Sequence, residues 1–143
     1  MARIRHIALV VKDLEQTASV YQKAFGLSRS EISEGPTARR IYMSDGEINL
    51  ALLQYKGETG SGLKDPQDFV GIHHFGFQVD DLKEGQAAVE KAGGEFFFDL
   101  GEEGFERKFK DPNGIIFDLN DTGWAMTASK KPAKKKLPEA ECR

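Results

Sequence analysis

Two stretches of this chain, one beginning at Ile4 and the other at Ile72, superimpose without a gap when the sequence is slid along itself by 68 positions. Ile4 meets Ile72, His6 meets His74, Val11 meets Val79, Asp13 meets Asp81, Leu14 meets Leu82, Lys23 meets Lys91, Ala24 meets Ala92 and Gly26 meets Gly94, eight identities in 23 aligned positions. At the same offset Arg39 meets Arg107 and Gly46 meets Gly114, so the copied unit is longer than one strand and one helix. Two copies of one supersecondary module restrict the fold to architectures in which like units pack side by side. The 143 residues hold two such units within one ordinary domain.

Each copy begins as a strand and turns into a helix. In the first, Ile7, Leu9 and Val11 fall on one face and His6, Ala8 and Val10 on the other, the period of two that a strand requires. Asp13 is placed to cap a helix with Gln16 as its capping-box partner, and Gly26 stands where the helix should stop. Leu14, Ala18, Tyr21 and Phe25 recur at helical spacing and are expected to be its buried stripe. Three strands should follow, around Ser28 to Ser33, from Ala38 to Ser44 and from Glu47 to Tyr55, punctuated by Gly35-Pro36 and the turn Ser44-Asp45-Gly46.

Residues 56–70 are rich in Gly, Lys, Asp, Ser and Pro and read as a linker, long enough to cover a site. The second copy repeats the design, with His74, Gly76 and Gln78 on one strand face and Phe75, Phe77 and Val79 on the other. Asp81 and Glu84 cap its helix, Gly93-Gly94 ends it, and strands are expected at Glu95 to Asp99, Phe105 to Lys110 and Ile115 to Asn120. The turn Asp111-Pro112-Asn113-Gly114 precedes the last. The pattern therefore predicts one domain over residues 1–124, with module one at 3–55 and module two at 71–121. From Ala125 to Arg143 apolar periodicity stops and lysines accumulate, which predicts a basic, solvated, disordered tail.

A formal net charge of -3 gives no general electrostatic reason to expect nucleic acid or an anionic membrane as partner. The single cysteine, Cys142, excludes an internal disulfide framework and reads as an inert tail thiol suited to a reducing compartment. No apolar run approaches the roughly 20 residues of a membrane span. The expectation is a soluble cytoplasmic protein that handles small molecules.

Chemistry concentrates on the first strand of each module. His6 shares its face with Ala8, and His74 with Gly76, so each imidazole has a small neighbour and room beside it. If those faces meet, two neutral nitrogen donors enter a common cavity, and oxygen ligands would complete a metal site. The last strand of each module is the natural source. Asp118 stands on a strand whose alternate face is apolar, and Asn49 is the matching oxygen donor in module one. The turn glycines align Asn49 with Phe117, whereas the pattern of an oxygen donor followed by leucine aligns it with Asp118; the second alignment is preferred because it keeps leucine out of the polar cavity. His73 alternates away from His74 and is expected to be a packing or surface residue.

These residues resemble the vicinal oxygen chelate superfamily, which includes glyoxalase I, methylmalonyl-CoA epimerase, type I extradiol dioxygenases and the bleomycin and fosfomycin resistance proteins. The resemblance runs from residue 3 to about 121. It is carried by His6-Ile7-Ala8-Leu9-Val10-Val11 with Asp13-Leu14, by Gly71-Ile72-His73-His74, and by Asp111-Pro112-Asn113-Gly114 leading into Phe117-Asp118-Leu119. It implies an α+β fold of two tandem βαβββ modules forming a half-open barrel around a divalent metal (Zn, Ni, Co, Mn or Fe(II)), commonly in a homodimer.

Carried over by position, the implied metal ligands are His6, His74, Asp118 and Asn49. The chain departs from the family pattern where aspartate replaces the usual glutamate at 118 and a neutral asparagine stands at 49. His6, His74 and Asp118 alone would make a two-histidine, one-carboxylate triad with open positions. A metal that chelates neighbouring oxygens of a metabolite can stabilise an enediolate. The reaction class implied is glyoxalase- or epimerase-like proton transfer, of the lyase or isomerase type. Glu47, on the face of Asn49, is the expected base; Glu102, Glu103 and Glu106 are runners-up expected at the surface. Arg39 and Arg107 are candidates to hold a substrate carboxylate or phosphate, with Arg40 beside them. An Fe(II) dioxygenase is the second alternative, although His73 is not placed to assist oxygen. A metal-free binding protein of the bleomycin resistance type is the third, for which His6 and His74 would be surplus.

Overall fold

A computed structural model describes residues 1–99 and 106–132. Strand β1 (Arg3–Val10) leads to helix α1 (Leu14–Phe25), then β2 (Ser28–Arg29), β3 (Ser33–Glu34), β4 (Ala38–Ser44) and β5 (Asn49–Tyr55). The second module runs β6 (Gly71–Gln78), α2 (Leu82–Ala92), β7 (Glu95–Asp99), β8 (Arg107–Lys110) and β9 (Ile116–Asn120). The repeat identities that recur at the helix starts have a local cause. Asp13 accepts the Gln16 amide at 2.9 Å and Asp81 accepts the Glu84 amide at 2.9 Å, so each helix begins on an aspartate cap. Gly26 ends α1 at φ 69° and Gly93 ends α2 at φ 104°, left-handed conformations that favour glycine.

The described strands form one open mixed sheet in the order β2-β4-β5-β1-β6-β9-β8-β7, with β3 also on β4, and the fold is α+β. At its centre β1 and β6 are antiparallel, and each has the last strand of its own module parallel on its outer side. This arrangement brings the first strands of the two copies into contact, which is what a site shared between them needs.

The helices cover one face. Leu14 and Ala18 of α1 pack with Ile41, Met43 and Leu52, while Leu82 of α2 packs with Phe109 and Leu119. Burying each large side chain of this kind contributes about 1.5 to 3 kcal/mol. Tyr21 packs at the margin of that core, and Phe25, expected inside the stripe, is 73% exposed at the C-terminal end of α1. The opposite face, where none of the described helices packs, carries Ala8, Val10, Ala38, Ala51, Leu53 and Tyr55, followed by His6, His74 and Asp118.

Two further sequence expectations change. The strand expected over 28–33 is two short pieces, both paired to β4. Residues 125–132 are packed: the Ala128 amide donates to the Gly46 carbonyl at 2.7 Å, and Ser129 bonds the buried Gln78 through both its hydroxyl and its carbonyl. Side-chain and main-chain hydrogen bonds hold this segment where apolar periodicity gave no signal. The rest of the expected tail, 133–143, and Glu102 and Glu103 lie outside the described residues.

A buried histidine and carboxylate cluster

The pairing of β1 with β6 sets His6 opposite Gly76 and His74 opposite Ala8. Each imidazole thus lies across from the small residue of the other module, and the two rings cross over the strand seam. Their Nε2 atoms approach to 3.2 Å. Asp118 pairs with Gly76 from the other side, which brings its Oδ2 to 3.0 Å from His74 Nε2 and 3.5 Å from His6 Nε2. All three side chains are buried, and Asp118 Oδ2 accepts no hydrogen bond.

The outer nitrogens of the two histidines fix where their protons lie. Asn49 pairs with His6 across β1 and β5; its amide nitrogen donates to the Ala125 carbonyl at 3.1 Å, so its Oδ1, 2.7 Å from His6 Nδ1, must accept from that nitrogen. On the other side His73 Nε2 lies 2.7 Å from the Ser61 carbonyl and has to donate to it. Burial depresses the pKa of His73 and keeps it neutral, which leaves its Nδ1 a lone pair facing His74 Nδ1 at 2.7 Å. The shared proton therefore sits on His74 Nδ1. Burial, with Lys108 and His6 nearby, holds the pKa of His74 well below its ordinary value. In the neutral rings both Nε2 atoms are then lone pairs, directed at each other and at a carboxylate oxygen. Such hydrogen-bonded outer nitrogens are the usual way a protein orients histidine ligands.

A second, charged layer adjoins this triangle. Lys108, 1% exposed, places its Nζ 2.8 Å from Asp118 Oδ1, 3.1 Å from Glu106 Oε1 and 3.3 Å from His74 Nε2. Burial opposes its charge, yet Asp118 and Glu106 outweigh that and raise its pKa above the ordinary lysine value. The other oxygen of Glu106 accepts Trp124 Nε1 at 3.0 Å, and the Trp124 ring lies parallel to His6, centroids 4.7 Å apart. Gly76 makes that stack possible, because a Cβ there would meet two Trp124 carbons at 2.8 Å.

His6, His74 and Asp118 are thus brought together as expected, and the remaining expectations fare differently. Asn49 stands behind His6, on its Nδ1. Strand pairing explains why: Ala8 pairs with Ala51 where Gly76, its repeat partner, pairs with Asp118, so the module-one counterpart of Asp118 is Ala51, and Asn49 matches Ile116. Glu47 lies in the turn before β5, 65% exposed at its side chain and paired with Arg5 at 3.0 Å. Arg39 is also remote, bonded to Glu34 and Gln54, but it lines a cavity of about 530 Å³ together with Lys12, Lys56, Tyr55 and Phe69. Arg107 points to the helix side and bonds Gln86 at 2.8 Å.

His73 reaches the site because β6 has two residues against one at this point. The partners of Ala8 and Leu9 are His74 and Ile72, so His73 is the extra residue of a bulge and escapes strict alternation. Glu106, expected at the surface, is buried by Lys108 and Trp124. Its signal was the Glu106-x-Lys108 spacing on a strand whose other face, at Phe109, packs on α2.

Within the described residues, His6, His74, Glu106 and Asp118 offer one ligand atom each within 4.8 Å of one another. Two atoms bound to one ion at about 2.1 Å stand about 3.0 Å apart at a right angle and about 3.4 Å apart at the tetrahedral angle. Two edges of the His6, His74 and Asp118 triangle, 3.2 and 3.0 Å, fall in that range, and the third, 3.5 Å, lies just beyond its upper end. With the orphaned Asp118 Oδ2, this donor set fits a divalent ion. Both Glu106 oxygens are already engaged by Lys108 and Trp124, so the fit is that of a three-residue site.

Comparison with known proteins places this geometry in context. An ethylmalonyl-CoA/methylmalonyl-CoA epimerase from Cereibacter sphaeroides is 27% identical over 97 residues, covering 65% of this chain and 72% of the relative. Among solved structures, a methylmalonyl-CoA epimerase in complex with methylmalonyl-CoA and NH4+ superposes with a TM-score of 0.66 at 23% identity, covering 92% of this chain and 99% of that one. A hypothetical protein from Bacillus halodurans C-125 gives 0.68 at 20% identity, covering 96% and 98%. Matched by the family model over residues 3–119, the chain belongs to the Glyoxalase/Bleomycin resistance protein/Dioxygenase superfamily.

Proposed function

We propose that this protein is an epimerase-type enzyme that moves a proton at the carbon next to the carbonyl of a CoA thioester, with a divalent metal held by His6, His74 and Asp118. The observation that carries the proposal is the convergence of two histidine lone pairs and an orphaned carboxylate oxygen in one buried triangle. The epimerase relative supports the reaction class.

A divalent ion at these residues supplies a Lewis acid that takes up charge developing on a substrate oxygen. The chain does the rest. Asn49 and His73 hold the two ring protons on the outer nitrogens, so both inner nitrogens are available without a change of tautomer. Glu106 is the carboxylate of the cluster outside the triangle and is assigned the proton transfer, with Lys108 and Trp124 fixing its two oxygens. Trp124, buried over His6, keeps water from that side. The cavity beside Arg39, Lys12 and Lys56 is the proposed seat of the CoA phosphates, and Tyr55 on its wall has its hydroxyl 3.4 Å from His73 Nδ1. A cytoplasmic setting and a homodimer belong to the same proposal, and sedimentation of the pure protein checks the second.

The test is exchange at carbon. The metal-loaded protein in D2O should place deuterium at the α-carbon of methylmalonyl-CoA, followed by mass spectrometry, and Glu106→Gln and Asp118→Asn should abolish it. Absence of exchange with each of Zn, Ni, Co and Mn, on this and on ethylmalonyl-CoA, would overturn the assignment.

A further inference from the structure

The repeat predicts a histidine and an oxygen donor from each module, yet the module-one position equivalent to Asp118 is Ala51, whose side chain has nothing to donate. Against the triangle stands an ammonium group instead. Lys108 is 1% exposed and reaches Asp118 Oδ1 at 2.8 Å and His74 Nε2 at 3.3 Å. Lysine is almost never fully buried without a compensating partner, and here two of the groups it faces belong to the triangle itself.

We propose that the Lys108 ammonium is a resident cation of this cluster, competing with a divalent ion for His74 and Asp118. This rests on the three-residue metal site proposed above and adds how tightly that site binds. The charges show the direction. Asp118 and Glu106 bring two formal negative charges against one on Lys108. A divalent ion entering beside the lysine turns a cluster of one net negative charge into one of net positive charge, whereas without the lysine it would neutralise the two carboxylates. In a buried setting that difference weakens binding strongly. The ammonium also donates toward the His74 lone pair that a metal must take, so binding requires it to withdraw onto Glu106 and Asp118 Oδ1. The ammonium gives two of the three convergent acceptor groups a cation to face. It also predicts a site that fills reversibly, in step with free metal.

The experiment is a Co2+ titration of the full chain, following the visible absorption of the bound ion and the heat of binding. The parent is compared with Lys108→Met, which keeps the bulk and removes the charge, and with Lys108→Arg, which keeps the charge. The expected result is one ion per chain in each, bound at least about 100-fold more tightly by Lys108→Met than by the parent, with Lys108→Arg staying within about tenfold of the parent. Should Lys108→Met lose its fold without metal, since two buried carboxylates are then uncompensated, circular dichroism gives the same answer. Co2+ should restore its fold at concentrations that leave the parent's thermal stability unchanged. Equal affinity in parent and Lys108→Met overturns the inference and leaves the three-residue site standing. Tight binding in Lys108→Arg also overturns it, because charge is then not the cause. Binding by none of the three overturns the inference together with the metal site it rests on.

Discussion

Replacing Gly76 by alanine tests how the cluster is roofed. The added methyl would stand 2.8 Å from two carbons of the Trp124 ring and 3.1 Å from His6 Cβ, closer than such atoms pack. The backbone there is held between Asp118 and His6 on the two neighbouring strands, so the tryptophan has to move. Overpacking of this kind costs about 1 to 3 kcal/mol. Tilting the ring also lengthens the 3.0 Å bond from Trp124 Nε1 to Glu106, a hydrogen bond to a buried carboxylate worth about 1.5 to 3 kcal/mol. Partial relief of one strain by the other puts the total at about 2 to 4 kcal/mol, a fall in Tm of roughly 6 to 12 °C for a domain of this size. The chain has one tryptophan, so its fluorescence reads this ring alone. Gly76→Ala should shift and broaden the emission as the ring leaves His6, while Gly57→Ala, whose methyl meets nothing within 4 Å, should leave both Tm and emission unchanged. A Gly76→Ala protein with the parent's Tm and spectrum would refute the close stack of Trp124 over Gly76 and His6.

Asn49→Ala removes the acceptor of the His6 ring proton and should weaken metal binding by about 10- to 100-fold in the same Co2+ titration, with the one-ion stoichiometry kept. His73 and His74 are both held below their ordinary pKa, chiefly by burial. The unfolded chain therefore binds more protons than the folded one below about pH 6.5. Stability of the metal-free protein should fall as pH drops through that value, by up to about 1.4 kcal/mol per pH unit for each ring, and urea melts at pH 7.5, 6.5 and 5.5 measure it. Deuterium exchange at the substrate α-carbon should separate two carboxylates, being lost in Glu106→Gln and retained in Glu47→Gln, since Glu47 is exposed and paired with Arg5.

His6, His74 and Asp118 were legible because alternation on a strand fixes which residues share a face and the repeat showed the same histidine in both copies. The inner strands of the sheet were legible for the same reason, as were the aspartate caps of both helices. What alternation cannot supply is the pairing of one strand with another. A shift of two residues between β5 and β9 moves Asn49 from the place of Asp118's counterpart to behind His6, and no single-strand pattern reports it. His73 escaped for a related reason, since a bulge depends on the partner strand. Lys108 and Glu106 look like surface residues one at a time. Only the pairing of Lys108 with Asp118 shows that each charge is buried against another. Trp124 lies beyond the last strand, where its role comes from Gly76 and Glu106, both distant in sequence.

The central claim is that His6 and His74 present bare Nε2 atoms to one another and to Asp118, and ring-nitrogen NMR tests it directly. The chain has three histidines, so single substitutions assign every imidazole in a long-range 1H–15N spectrum of uniformly labelled protein. The geometry predicts that at pH 7.5 His6 and His74 carry their protons on Nδ1 and His73 carries its proton on Nε2, and that Zn2+ moves the Nε2 resonances of His6 and His74. A proton found on Nε2 of His6 or His74 in the neutral ring, or Nε2 resonances that ignore the metal, would contradict it.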